Sequence, residues 1–338
     1  MSALTTSARA IVTRGPHKEG KWKMEDISLC PIGDDELLVR MVASGICHTD
    51  VVFGDAAEGI GGYPRIMGHE VKYLARTVTQ SIDRSRLRIS SNAEITASFF
   101  GQSSFSSLSV VSESSVVNAK DLIKSSEEMR LFAPLGCGIQ TGSGAIYNVA
   151  NCSDADTVAI MGVGSVGLSG IMGAKIGGAK TIIAIDRVPA RLLLAKEIGA
   201  SHSINIDGMD MLELIKAVRD LTDGYGSSIT MDTTGVPKLV AAGVDFTRRK
   251  GQYVQIGSAP KDAKLEIEIF NFMISGKRFI GAVEGDIIPA EYIPKMIGWY
   301  REGKFPIGKL MKTFKADEFM EAIHEMHTGK TIKPVIVW

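Results

Sequence analysis

Residues 157–186 place the tightest constraint on what this chain can fold into. Thr157–Met161 is a short apolar run ending at glycine, the pattern of a strand buried on both faces of a parallel sheet. It leads into Gly162-Val163-Gly164-Ser165-Val166-Gly167, a small-residue helix over Ser165–Lys175, and a second strand, Thr181–Ile185, closed by Asp186. Glycines at 162, 164 and 167 permit a tight turn and let the backbone approach a pyrophosphate resting on the helix N-terminus. Asp186, nineteen positions after Gly167, is placed to accept hydrogen bonds from the adenosine ribose hydroxyls and to repel a 2′-phosphate. The expected ligand is therefore NAD. Arg187, the next residue, can accommodate a 2′-phosphate, which leaves NADP open.

The alternation continues downstream. Pro189–Ile198 reads as a helix stopped by Gly199, and Ile229–Asp232 and Gln252–Ile256 read as further strands. This is α/β patterning, a doubly wound parallel sheet with helices on both faces. The first region differs. Ala8–Thr13, Lys23–Ile27 and Glu36–Val42 are short strands separated by turns. A helix over Ala316–His327 and a last strand, Lys333–Trp338, return to that texture. Residues 1–137 and 286–338 are accordingly assigned to one domain, and 138–285 to the cofactor domain.

Chemistry beyond a dinucleotide is written in three separated places: Gly45-Ile46-Cys47-His48-Thr49-Asp50, Gly68-His69-Glu70 and Leu135-Gly136-Cys137-Gly138. Two thiolates and one imidazole make three zinc ligands and leave a fourth position open, as in a catalytic rather than a structural site. One zinc per chain is expected, held by Cys47, His69 and Cys137. Around them, Thr49 can set a hydroxyl beside a zinc-bound oxygen. Asp50 can orient His69 through its other ring nitrogen, and Glu70 can contact the metal. Zinc as Lewis acid and a nicotinamide as hydride carrier together interconvert an alcohol and a carbonyl. Cys30 and Cys152 have no such neighbourhood and read as small structural side chains.

Composition narrows the remaining classes. Lys+Arg and Asp+Glu are equal at 38 each, which speaks against a general affinity for nucleic acid or an anionic membrane. No stretch is long and apolar enough to span a bilayer, and Met1–Gly15 lacks the apolar centre of a signal peptide. Four cysteines in 338 residues fit reduced thiols or metal ligands, so a cytoplasmic location is expected.

Phe99-Phe100-Gly101-Gln102-Ser103-Ser104-Phe105, Pro134-Leu135-Gly136-Cys137-Gly138-Ile139-Gln140-Thr141-Gly142 and the ending Gly303-Lys304-Phe305-Pro306…Thr331-Ile332-Lys333-Pro334 carry a family likeness. With the glycine fingerprint, the chain resembles the zinc-containing alcohol dehydrogenases of the medium-chain dehydrogenase/reductase superfamily, most of all their aryl-alcohol (benzyl-alcohol) branch. The resemblance implies a GroES-like β-barrel catalytic domain beside a Rossmann cofactor domain. It implies that His48 and Lys333 lie at the cofactor phosphates and that Thr141 and Val166 line the nicotinamide. Thr49 would begin the proton relay. The relay histidine of some members is missing, Val51 and Val52 standing there. Also missing is the structural-zinc segment: no cysteine occurs between Glu70 and Cys137, and that interval is shorter than the family's by several tens of residues.

The expected function is transfer of a hydride between a nicotinamide cofactor and a small aromatic or cyclic alcohol or carbonyl compound, in a homo-oligomer. Two alternatives stand beside it: a zinc-independent, quinone-type double-bond reductase, and a catalytically weakened dinucleotide-binding protein whose barrel has been damaged. A poorly packed segment 71–98 is expected from the shortening.

Overall fold

The computed structural model describes residues 6–29, 31–70, 86–89, 94–97 and 99–338. Cys30 and most of segment 71–98 lie outside the described residues, and so does the packing expected of that segment. The chain divides into two compact units. One is Met1–Cys137 with Ile288–Gly298 and Ile307–Trp338; the other is Gly138–Ile287 with Trp299–Pro306.

The first unit is built on a closed barrel. Strands β1 (Ser7–Thr13), β2 (Trp22–Ser28), β5 (Arg65–Ile66), β6 (Arg86–Ile89) and β7 (Glu94–Thr96) follow one another in the order β1-β2-β6-β7-β5, and β5 returns to β1. Closure removes the unpaired edges that a shortened barrel would otherwise expose. Strands β3 (Glu36–Arg40) and β8 (Leu108–Ser112) form an antiparallel pair. A three-stranded sheet joins β4 (Ala43–Gly45) to β16 (Lys333–Val337) and β16 to β15 (Met311–Lys315). Ile11, Ile27, Ile66, Met67, Phe105 and Ile336, all fully or almost fully buried, belong to one core that spans the barrel and the chain's last strand. The C-terminal segment is thereby part of the same unit as Cys47 and His69.

The second unit is a six-stranded parallel sheet. It comprises β9 (Thr157–Met161), β10 (Thr181–Asp186), β11 (His202–Asn205), β12 (Ser227–Asp232), β13 (Thr247–Gln255) and β14 (Arg278–Gly281), in the order β11-β10-β9-β12-β13-β14. The order reverses between β9 and β12, the switch point where such sheets bind ligands beyond their carboxyl ends. The fold is thus α/β, a barrel unit plus a Rossmann sheet.

One element departs from the sequence reading. The helix expected over Ala316–His327 is a single 3-10 turn, Ala316–Glu318, followed by an α-helix, Phe319–Thr328. The Glu318 carboxylate folds back to accept from Lys315 N and caps the turn separately. Glu325 on that helix is nearly inaccessible and accepts from Lys312 Nζ, Lys330 Nζ and Thr331 Oγ1. It ties the helix to β15 and to the approach to β16.

The Lys312 hydrogen bond first, then Lys330 and Thr331, hold the Glu325 carboxyl down to about 2. A depressed carboxyl stabilises the fold above its unfolded pKa, about 4.3, and that stabilisation is lost as pH falls toward the folded value. Glu325→Gln is therefore expected to lower Tm at neutral pH, with the gap to wild type closing between about pH 5 and about pH 2 in thermal melts. A gap that stays constant with pH would show that the ion cluster is not what holds the helix.

Candidate metal centre and cofactor site

Cys47 occupies the N-cap of the helix His48–Asp55, and the Asp50 carboxylate reaches back to accept from Cys47 N at 2.9 Å. The same side chain, fully buried, accepts from Gly68 N at 3.0 Å and stands 2.8 Å from His69 Nδ1. An ionised carboxylate only accepts, so Nδ1 carries the proton there and Nε2 is left as the ligand atom. His69 Nε2 lies 3.2 Å from Cys137 Sγ. Ligand atoms of Cys47, His69, Glu70 and Cys137 all fall within 4.8 Å of one another. Two sulfurs, one imidazole nitrogen and a nearby carboxylate at this spacing suit zinc, with bonds of about 2.3 Å to sulfur and 2.0–2.1 Å to nitrogen.

Two glycines make this approach possible. Gly68 has φ +93°, and a Cβ there would meet the Phe105 backbone nitrogen at 2.6 Å. At Gly45 a Cβ would stand 2.1 Å from Glu70 Oε2. Gly45 N in turn donates to Glu70 O, stitching β4 to the residue after His69.

Charge in the cluster is arranged in pairs. The Cys137 hydrogen bond, then His69 and Lys333, overcome burial and hold the Cys47 thiol well below its ordinary value. Burial alone would lower His69, but the charge and hydrogen bond of Asp50, with Cys47, raise it well above the ordinary value. Burial raises Glu70 even though Lys333 opposes it, and Lys333 is itself raised by Glu70 and the thiols against the cost of burial.

Lys333, which the resemblance puts near the cofactor phosphates, is 2% exposed in the structure, with Nζ 2.7 and 2.8 Å from the two Glu70 oxygens and 3.2 Å from Ile46 O. Those three acceptor atoms match the three N–H donors of an ammonium. His48 is exposed, edge-on to His327 at 5.4 Å between ring centroids, and Thr49 is half-buried. Cys152 is buried, and burial pushes its thiol up to about 12, which leaves it inert as a nucleophile or ligand.

In the second unit the fingerprint turn lies between β9 and the helix Ser165–Gly177. Gly162 has φ +81°, and a Cβ there would meet Thr233 Oγ1 at 2.5 Å; a Cβ on Gly167 would fall 1.9 Å from Gly162 O. Gly164, the helix N-cap, has open space before it, as a backbone that receives a phosphate requires. Asp186 closes β10, its two oxygens accepting from Val163 N at 2.8 Å and Val188 N at 2.9 Å. A carboxylate offers about four acceptor positions, so capacity for a ribose remains. Arg187 beside it is exposed, Val166 is half-buried, and Thr141 is buried in the helix Gly138–Gly144.

Comparison with known proteins agrees with this geometry. The zinc-binding dehydrogenase family matches residues 165–302. A geraniol dehydrogenase of Castellaniella defragrans is 30% identical and is aligned over 98% of each chain. That alignment spans 376 positions, more than the 338 residues here, so the relative carries residues with no counterpart in this chain. The crystal structure of benzyl alcohol dehydrogenase from Acinetobacter calcoaceticus superposes with TM-score 0.87 at 30% identity, covering 98% of this chain and 99% of that one. An alcohol dehydrogenase zinc-binding domain protein from Burkholderia ambifaria gives 0.90 at 29%, with the same coverage. The chain belongs to the zinc-containing alcohol dehydrogenases of the medium-chain dehydrogenase/reductase superfamily. It is an oxidoreductase of that zinc- and NAD(P)-dependent type.

Sequence reasoning overlooked Arg65. A charged residue within the otherwise apolar approach to Gly68-His69 was the signal, and its side chain is buried.

Purified protein is expected to hold one zinc per chain by elemental analysis, and Cys47→Ala to hold almost none. Asp50→Asn, which removes the acceptor behind His69, should weaken zinc about 10- to 100-fold in chelator competition. Two zincs per wild-type chain, or undiminished affinity in Asp50→Asn, would contradict this assignment.

Proposed function

We propose that the chain is an NAD-dependent dehydrogenase of small aromatic or cyclic alcohols, working equally on the matching carbonyl compounds. The observation that carries this reading is the convergence of Cys47, His69 and Cys137 with Asp50 directly behind the imidazole. The aromatic preference is supported by the benzyl alcohol dehydrogenase likeness and by Phe99 and Phe100, whose rings lie 5.6 and 5.1 Å from His69.

Cys47, His69 and Cys137 would hold zinc, which when bound supplies the Lewis acidity that lowers an alcohol's pKa and polarises a carbonyl. Asp50 keeps His69 in the tautomer and orientation a ligand needs. Lys333 neutralises Glu70, so that the carboxylate stays beside the thiolates without adding uncompensated negative charge. Thr49 receives the alcohol proton at its hydroxyl. With valines at 51 and 52 in place of a relay histidine, the chain's own residues carry the proton no further than Thr49, and water would take it on. Gly162, Gly164 and Gly167 would receive the pyrophosphate. Asp186 selects NAD, and Thr141 and Val166 face the nicotinamide. An intact ligand cluster supports this reading over a zinc-free double-bond reductase, and a closed barrel supports it over a catalytically weakened dinucleotide binder.

The working form is inferred to be a homo-oligomer in the cytoplasm. Its described cysteines are free thiols, as a reducing compartment maintains. Among the described residues no helix is long and apolar enough to cross a membrane. Among the described residues, edge strand β14 pairs on one side only, and the nearby helix Ile269–Ser275 presents Ile269 and Phe270 at 85% and 69% exposure. An edge and an apolar face of this kind suit a second copy related by a twofold axis.

Turnover of benzyl alcohol with NAD, on protein of measured zinc content, is the decisive assay. Wild type is expected to prefer NAD, and Asp186→Gly to lose that preference toward NADP. No oxidation of any aromatic alcohol by zinc-loaded protein would remove the reading, and a native preference for NADP would show Arg187 to dominate. In light scattering, wild type should exceed monomer mass and Phe270→Asp should shift toward monomer. A monomeric wild type would exclude the β14 interface.

A further inference from the structure

The fingerprint turn follows the central strand β9 and is braced from both neighbouring strands. Asp186 ends β10, and Asp232 ends β12. Asp232 is fully buried. One of its carboxylate oxygens accepts from Thr234 N at 3.1 Å and Thr234 Oγ1 at 2.7 Å, the other from Gly235 N at 2.8 Å and Gln255 Nε2 at 2.9 Å. An ionised group in the interior is costly unless donors of this kind satisfy it. Here they fix the loop that leaves β12. Ile256 N and Gly257 N, just beyond β13, both donate to Asp232 O and lock the same loop to the next strand.

That loop sets Thr233 on the turn. Thr233 N donates to Met161 O at 2.9 Å, and Thr233 Oγ1 lies 3.0 Å from Met161 O and 2.8 Å from Gly162 O. A hydroxyl has one proton to give, and the shorter contact is to Gly162 O. At the other end of the same peptide group, Val163 N donates to Asp186 Oδ2 at 2.8 Å. The Gly162–Val163 peptide plane is therefore held by its carbonyl from one strand end and by its amide from the other. Glycine is needed at 162 for clearance, because φ is +81° and a Cβ would meet Thr233 Oγ1 at 2.5 Å. By itself, glycine sets such a plane only loosely. The next amide belongs to Gly164, which has open space before it at the N-cap of the helix Ser165–Gly177. With Val163 N already used, a phosphate is met by the amides from Gly164 onward, and their direction follows from the pinned plane.

We infer that Thr233 is a positioning residue of the cofactor site: its hydroxyl presets the Gly162–Val163 peptide, so that the amides after it are aimed at the cofactor diphosphate before the cofactor arrives. Donors ordered in advance avoid part of the ordering cost of binding. The hydroxyl acts through the backbone, and the ligand class it serves is a nucleoside diphosphate. This rests on the NAD reading above and assigns to that site a residue outside the glycine fingerprint.

The test is equilibrium binding followed by NADH fluorescence, with ADP-ribose and adenosine as displacing ligands. ADP-ribose carries the diphosphate and adenosine does not. Loss of one net hydrogen bond predicts that Thr233→Val, which removes the hydroxyl at nearly constant shape, weakens NADH and ADP-ribose about threefold to tenfold. Adenosine should keep its wild-type affinity, and Thr233→Ser should restore NADH and ADP-ribose binding. A threonine that only stabilised the fold would not separate the two ligands. Should Thr233→Val not fold, Thr233→Ala removes the same hydroxyl and decides. Wild-type affinity for ADP-ribose without the hydroxyl, equal losses for ADP-ribose and adenosine, or no recovery in Thr233→Ser would overturn the positioning role and leave the dinucleotide site standing. Wild type that binds neither NADH nor ADP-ribose would remove the NAD reading, and this inference with it.

Discussion

The Asp50 carboxylate is the interaction on which the catalytic unit depends. From one fully buried side chain it engages the backbone of one ligand, Cys47, the backbone beside another, Gly68, and the ring of that second ligand, His69. These groups come from a helix N-terminus and from the strand exit after β5, which nothing covalent brings together. A buried carboxylate left short of donors costs far more than a surface one. The native arrangement is therefore the one in which all three donors are in place, and that arrangement also aims His69 Nε2 at Cys137.

Charge neutrality governs the rest of the cluster. Two thiols and the Glu70 carboxyl would repel one another in a low-dielectric interior, and Lys333, delivered by the last strand, sets a cation among them. That strand is held by β4 on one side and β15 on the other, and Glu325 ties the preceding helix to it. The C-terminus thus supplies a positive charge to a site whose ligands all lie in the first 137 residues.

Function in the second unit has a different origin. There the backbone, not a side-chain network, forms the receiving surface, and the demands are steric. Gly162 and Gly167 stand where a Cβ would strike Thr233 or the carbonyl of Gly162, and Gly164 leaves open space at the helix N-cap. Asp186 braces the same turn through Val163 N. The parallel order reverses beside this turn, so sheet topology and loop sterics specify one place.

What could be read from the chain alone was whatever a short segment must satisfy by itself. Thr157–Met161 and Pro189–Ile198 are found at their expected bounds because an apolar run and a Pro-to-Gly frame are local signals. The Gly-Ile-Cys-His-Thr-Asp and Gly-His-Glu segments announced candidate ligands for the same reason: a cap and a positive φ sit next to the residue they position. The helix Met211–Asp220 carries such a signal in its Asp210–Glu213 capping box. Other features had no local signature. That Lys333 meets Glu70, 263 positions away, depends on which strand β16 joins. Whether Arg65 is a solvated strand residue or a buried cation depends on Phe99 closing over it. Ligand identity is a property of residue type and near neighbours, and the sequence determined it. Burial and pairing of charge depend on elements that meet only when the chain has folded, so the tertiary structure alone decided them.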